Sequence, residues 1–313
     1  MPSSMSSNKD RSAQGREENS ICAHASGRVC AKVVQGTLES CVREEEDGGG
    51  GHGQESQLPR MSKQGINGRM EKSERTASFL LKSLRKANRA YGLIDDGDRI
   101  AVGVSGGKDS QTLVRLLARW QSCAPVQYNL VALHVDSTEI WEGAAEQRAA
   151  LESLLRSLGV PYAVRPIELA ADEPHPLSCF RCSWNRRRRL FTAARELGCN
   201  KVALGHHADD ITETTLMNLL FHGRLESMAP KRPMFDGLIT LIRPLALIEE
   251  RDIVTYARSA GFLRESYCCP NGEISKRAEA KSLLRSAKKI TPQAQRNLFR
   301  AVERASGWRD QET

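Results

Sequence analysis

Three groups of residues in this sequence have the types and spacing that chemistry needs. The first is Ser105-Gly106-Gly107-Lys108-Asp109-Ser110. Adjacent glycines let backbone amides turn towards an anion, and a helix that starts there adds its partial positive charge. Lys108 can neutralise phosphate oxygens, Ser105 and Ser110 can donate to them, and Asp109 can hold a magnesium ion. The second group is Gly205-His206-His207-Ala208-Asp209-Asp210, with Glu213 one turn further on. Asp209 and Glu213 are spaced i,i+4 and share a helix face. Such a pair either complements a helix dipole or binds magnesium, and the company of the first loop favours magnesium. The third is Cys179-Phe180-Arg181-Cys182, which runs through Ser183-Trp184-Asn185 into Arg186–Arg189.

The cysteine count is nine, an odd number that suits a disulfide framework poorly. Cys22, Cys30, Cys41, Cys123 and Cys199 stand alone, whereas Cys268 and Cys269 are adjacent. One C-x-x-C cannot build a four-thiolate zinc site, and two adjacent cysteines seldom both ligate one metal. The usable set is therefore three thiolates, or a reduced C-x-x-C with no metal at all. Three thiolates leave one iron of a 4Fe-4S cluster open to an outside ligand.

These groups need elements to position them. Ile100-Ala101-Val102-Gly103-Val104 reads as a buried strand that delivers the 105–110 loop. Apolar residues at helical spacing, among them Leu113, Leu116 and Leu117, follow it. Further strands are expected at 129–135, 162–167, 201–205 and 238–242, and helices near 143–158, 185–197, 209–221 and 248–260. Alternation of this kind predicts an α/β fold: a parallel twisted sheet of about five strands with helices on both faces. Ligands of such sheets sit at the carboxyl ends of the strands. His134, at the end of the 129–135 strand, and Gly205 therefore join Ser105, Gly106, Gly107, Lys108, Asp109 and Ser110 as nucleotide-binding candidates. Lys108, Asp109 and Asp209 are the catalytic candidates.

Composition divides the chain near residue 73. Residues 1–72 hold none of the sixteen aromatic residues and ten of the 24 glycines. A segment that cannot bury aromatic mass does not recover its ordering entropy, so 1–72 is expected to be a disordered extension. Met61 or Met70 offers an alternative first residue. Residues 73–290 are expected to form the catalytic domain and 291–313 a helical tail. The extension has ten basic and ten acidic residues, so the whole net charge of +8 belongs to the remainder. That excess suits a polyanionic partner. Three patches stand out: Lys82, Arg85 or Lys86, and Arg89 on one helical stripe; Arg186–Arg189, which cannot all share one face; and Arg277, Lys281, Arg285 and Lys288 on another stripe. No apolar run approaches the ~18 residues a membrane span needs. A secretory signal is not expected either, which leaves a cytoplasmic address.

Ser-Gly-Gly-Lys-Asp-Ser is not the G-x-x-x-x-G-K-[ST] loop, because Val102 replaces its first glycine and Asp109 follows the lysine. It resembles the PP-loop of ATP pyrophosphatases. With the C-x-x-C, its Arg-rich sequel, Lys201 to Asp210, Ile242-Arg243-Pro244-Leu245 and a later cysteine, the chain is similar to the tRNA 2-thiocytidine synthetase family over about residues 75–290. The resemblance implies an adenine-nucleotide α-hydrolase-like fold and ATP-dependent thiolation of a tRNA base, cytidine being favoured, with ATP and Mg2+. It also implies a 4Fe-4S cluster on Cys179, Cys182 and one of Cys268 or Cys269. Cys269 is preferred because Cys269-Pro270 resembles the Cys-Pro of related thiolases. Expected partners are tRNA and a sulfur donor such as a cysteine desulfurase, with a homodimer left open. The alternatives are a thiouridine synthetase of the same superfamily and a non-enzymatic ATP- and cluster-binding sensor.

Overall fold

The computed structural model describes residues 63–136, 144–170, 173, 177–262 and 276–309, all within the compact unit Pro59–Thr313. Residues 1–62, Cys268 and Cys269 lie outside the described residues, so the expectations placed on them are not addressed by it. Helix α1 (Lys63–Tyr91) leads into β1 (Asp98–Gly103), α2 (Lys108–Gln121), β2 (Tyr128–Asp136), α3 (Ala144–Ser157) and β3 (Tyr162–Pro166). Then come α4 (Cys179–Glu196), β4 (Lys201–Ala203), α5 (Ala208–His222), β5 (Lys231–Met234), β6 (Ile239–Ile242) and α6 (Glu250–Ser259). Helices α7 (Lys276–Ile290) and α8 (Ala294–Ala305) complete the order.

The strands form one sheet in the order β3-β2-β1-β4-β6-β5, parallel except for the β5–β6 pair. Period-two side chains cover both faces, as a sheet buried on two sides requires. Ile100, Val102, Leu130, Ala132, Ala203 and Ile242 join one cluster with α1, α2, α3, α6 and α8. Ala101, Leu133, Val135, Val202, Ile239 and Leu241 join the other, beneath Leu190, Phe191, Ala193 and Ala194 of α4. Among the described residues no helix is long and apolar enough to cross a membrane.

Two helix starts differ from the sequence reading. Helix α1 begins at Lys63, so the break expected at 72/73 falls inside it. Its buried stripe, including Leu80, Leu84 and Tyr91, packs the helix on the core, and the turns that carry Gly65 and Gly68 lie ahead of that stripe, where no apolar periodicity announces them. Each fully buried leucine there contributes about 1.5–3 kcal/mol. Helix α4 begins at Cys179 rather than near 185, because the side chain of Ser178 caps it by accepting from the Arg181 amide.

Strand β5 was not expected. Lys231-Arg232-Pro233-Met234 lacks alternation, and its proline is tolerated because the strand lies at the sheet edge. The β5–β6 turn needs left-handed backbone at Phe235 (φ 54°) and Asp236 (φ 55°), and Phe235 packs edge-on against Phe191 with centroids 5.4 Å apart. The C-terminal segment is helical over Ala294–Ala305, as expected, and it packs on the rest of the fold. Phe299, Val302 and Trp308 enter the main core, and Tyr91 Oη donates to Glu303 Oε1 at 2.6 Å.

Candidate active site

In the strand order β2-β1-β4 the sheet changes direction between β1 and β4, which opens a crevice beyond their carboxyl ends. Val102 of β1 is in register with Ala203 of β4, so the loops that follow leave the sheet side by side. Those loops are 105–110 and 205–210. The sequence named the two segments; pairing of the strands brings them together.

The 105–110 loop is built to present amides. Gly106 sits at φ 83°, a left-handed conformation that favours glycine, and Gly107 is the N-cap of α2. Ser110 Oγ donates to the Gly107 carbonyl at 3.0 Å and accepts from the Ser105 amide at 3.2 Å, which closes the loop on itself. Gln111 Nε2 holds the Gly106 carbonyl at 2.7 Å. A β-carbon on Gly205 would stand 3.0 Å from the Asp109 carbonyl carbon and 3.1 Å from the Ser110 amide nitrogen. Gly205→Ala must therefore displace the loop. The ATP-dependent rate is expected to drop on the order of 10²-fold, the loss that a misplacement of about 1 Å brings. Rate and melting temperature measured together test this: an unchanged rate would free Gly205 from any loop-positioning role.

Lys108 Nζ lies 3.1 Å from Asp109 Oδ2 and 3.2 Å from Glu250 Oε1. Burial lowers its pKa, but the two carboxylates outweigh burial and the net shift is upward, so the ammonium is kept charged. Burial alone would raise Glu250, yet Lys281 at 2.6 Å and Lys108 hold its carboxyl at about 2. The sequence reading missed Glu250. Acids at the start of α6 read as partners of the helix dipole, and nothing local announces a contact with a lysine so distant in the chain.

The acidic segment is covered by α7. Arg277 approaches Asp210 and Glu213 at 3.7 Å each, Lys288 approaches Asp209 at 3.7 Å, and Lys281 takes Glu250. Three members of the 277–288 stripe therefore face acids of their own chain. Asp209 and Glu213 do share α5, but their carboxylates meet different cations. Among the described residues no three His, Cys, Asp or Glu side chains gather as a metal site. Asp109 is the better placed acid: its Oδ1 is buried without a hydrogen-bond partner, 3.7 Å from His207 Nε2. One carboxylate together with substrate phosphates is the usual way a protein holds magnesium. A cleft of about 540 Å³ adjoins these charges, lined in part by Asp209, Glu213, Glu250, Lys281 and Lys288.

His134 and His206 also stand at strand ends. His134 Nδ1 lies 2.8 Å from the Val104 carbonyl, and burial, with lesser contributions from Arg186 and Arg148, lowers its pKa. His206 is pulled down to about 4, first by burial and then by Arg243, with Arg277 and Arg187 adding to it. Both imidazoles are neutral at neutral pH. Arg243 is itself buried, donates from Nη1 to the Ala229 carbonyl, and falls to about 10 through burial and the nearby Arg232 and Arg187. Arg186 and Arg187 belong to α4, so the helix that starts at Cys179 lies within electrostatic reach of the ends of β2 and β4.

Helix α4 carries Cys179 and Cys182 in its first turn, one turn apart. Cys182 is a free thiol, half-buried. Sulfur donors are the ligands that soft metals take, so a cysteine pair at this spacing fits a soft metal centre. The four arginines divide as their spacing requires. Arg189 turns inward to Glu196 at 2.9 Å and Glu168 at 3.1 Å, while Arg187 and Arg188 stay exposed. The stripe of Lys82, Arg85, Lys86 and Arg89 is exposed as expected.

The PP-loop domain family matches residues 75–263. The chain is 40% identical over 220 residues to a tRNA-cytidine(32) 2-sulfurtransferase of Geobacter sulfurreducens, covering 68% of this chain and 84% of that protein. A protein of the same name from Anaeromyxobacter dehalogenans is 38% identical over 239 residues, covering 74% and 81% respectively. Among solved structures, the U34-tRNA thiolase NcsA from Methanococcus maripaludis with its 4Fe-4S cluster is similar at TM-score 0.60 and 23% identity. That likeness covers 72% of this chain and 77% of the other, and it shows the fold.

Proposed function

Because this chain belongs to the PP-loop domain family and, within it, to the tRNA-cytidine(32) 2-sulfurtransferases, we propose that it is an ATP-dependent tRNA sulfurtransferase that converts a cytidine to 2-thiocytidine. The observation that carries this reading is the convergence of two chemistries. A glycine loop that can cradle phosphate follows β1 beside the loop after β4, and the cysteine-bearing helix α4 packs on the same two strands, against Ala101 and Val202.

Residues 105–110 would hold the ATP phosphates, and Asp109 would hold a magnesium ion, which when bound offsets phosphate charge. Gly205 keeps that loop in place, and neutral His134 borders the nucleotide. The O2 oxygen of the base attacks the α-phosphorus and the bond to the bridging oxygen breaks, so pyrophosphate leaves while AMP stays on the base. Lys108 and the amides of Gly106 and Gly107 offset the charge that accumulates on the phosphates. Asp209 accepts the Glu250 amide at 2.7 Å and so aligns the carboxylate that faces Lys108. Cys179, Cys182 and one of Cys269 or Cys268 would hold a 4Fe-4S cluster, which when bound supplies the sulfur that replaces O2 as AMP departs. A sulfur donor such as a cysteine desulfurase replenishes that sulfur.

The test is mass spectrometry of nucleosides from a strain deleted for this gene. The reading expects 2-thiocytidine to vanish and to return with the intact gene. Retention of 2-thiocytidine, or loss of a thiouridine in its place, would contradict it.

A further inference from the structure

Two aromatic side chains of α4, Phe180 and Trp184, have no part in the site described so far. Trp184 is 44% exposed there, and Phe180, one turn before it, is 74% exposed. Large aromatic side chains left in water on a soluble surface mark places where something else binds. Two guanidinium groups bracket the indole along the helix: Arg181 Cζ lies 5.2 Å from its centroid and Arg188 Cζ 5.3 Å.

The two arginines are held very differently. Arg181 gives two hydrogen bonds to Glu173, at 2.5 and 2.7 Å, and that carboxylate is completely buried, so this guanidinium is fixed. Arg188 donates one side-chain hydrogen bond, to the Glu168 carbonyl at 3.3 Å, while the Glu168 carboxylate goes to Arg189, and Arg188 stays exposed. One flat cation over the ring is thus permanent and the other exchangeable. Arg187, also exposed, stands beside them.

We propose that Trp184 stacks an unpaired base of the RNA substrate, with Arg188 moving from the ring to an adjacent phosphate and Arg187 meeting another. The inference rests on the tRNA reading above and adds the residue that engages a base. The chemistry of the patch selects this occupant. An indole accepts the face of any nucleobase, a guanidinium pairs with phosphate, and the two alternate here as bases and phosphates do along a single strand. A purely apolar partner would leave Arg187 and Arg188 unanswered. Trp184 lies two residues after Cys182, at the cysteine end of α4.

Binding of two RNAs of equal length and base composition tests the proposal: a stem-loop with an unpaired loop, and a blunt duplex. Full-length wild type, Trp184→Ala and Trp184→Phe are compared. Trp184→Ala should weaken stem-loop binding about tenfold or more, the loss typical of one base–aromatic stack, and leave duplex binding unchanged. Trp184→Phe should restore most of the affinity, and the indole quenching that the stem-loop causes in wild type should be diminished in Trp184→Phe. If Trp184→Ala binds the stem-loop like wild type, or loses both RNAs equally, the stacking role is wrong while the tRNA reading stands. If wild type binds neither RNA, the tRNA reading falls and the stacking role falls with it.

Discussion

A Lys108→Ala enzyme is expected to release pyrophosphate about 10²–10³-fold more slowly than wild type when tRNA is added, the usual loss when one preorganised electrostatic group is removed. Lys108 stands between Asp109 and Glu250, whose backbone amide donates to Asp209 of α5. Its removal leaves carboxylates facing phosphate oxygens, so like-charge repulsion adds to the lost stabilisation. Asp109→Ala should lose activity for a different reason, because it removes the carboxylate with an unpartnered oxygen. Neither change touches α4, so metal content and tRNA affinity should stay near wild type. Pyrophosphate release and thionucleoside formation, measured side by side, check this. Thiolation at the wild-type rate by Lys108→Ala would reduce the loop to a structural turn.

Cys182→Ala is expected to show the opposite pattern: ATP binding retained and no thiolated base formed. The same holds for Cys179→Ala. Anaerobically prepared wild type should carry about four iron and four sulfide per chain, and either change should abolish them. Between the remaining candidates, Cys269→Ala should lose more iron than Cys268→Ala. Stoichiometric zinc without iron in wild type would contradict the cluster assignment, and the reverse order of loss would make Cys268 the third ligand.

Much of this was legible in the sequence because local rules governed it. Ile100–Val104 is apolar and short, the glycines after it demand a turn, and Leu113, Leu116 and Leu117 repeat at helical spacing. The contacts between segments distant in the chain were not legible. Glu250 reaches Lys108, and Arg277, Lys281 and Lys288 close over acids of α5 and α6, only because the strand order places these elements together. A charged helical stripe looks the same whether it faces solvent or an acidic patch. The start of α4 was misjudged because one side chain, that of Ser178, decides it. Trp184 carried no periodic signal; its exposure becomes visible only once Leu190, Phe191, Ala193 and Ala194 have taken the buried face.

The central claim is that adenylation at the β1–β4 crevice and sulfur delivery from the cysteine helix are two steps of one reaction. The most direct measurement incubates the anaerobic protein with unmodified tRNA, ATP and a sulfur source, and counts pyrophosphate and 2-thiocytidine in the same tube. The account predicts that the two appear in equal amounts and that neither forms when tRNA is omitted. Formation of 2-thiocytidine without ATP, or pyrophosphate release that continues without any thiolated base, would contradict it.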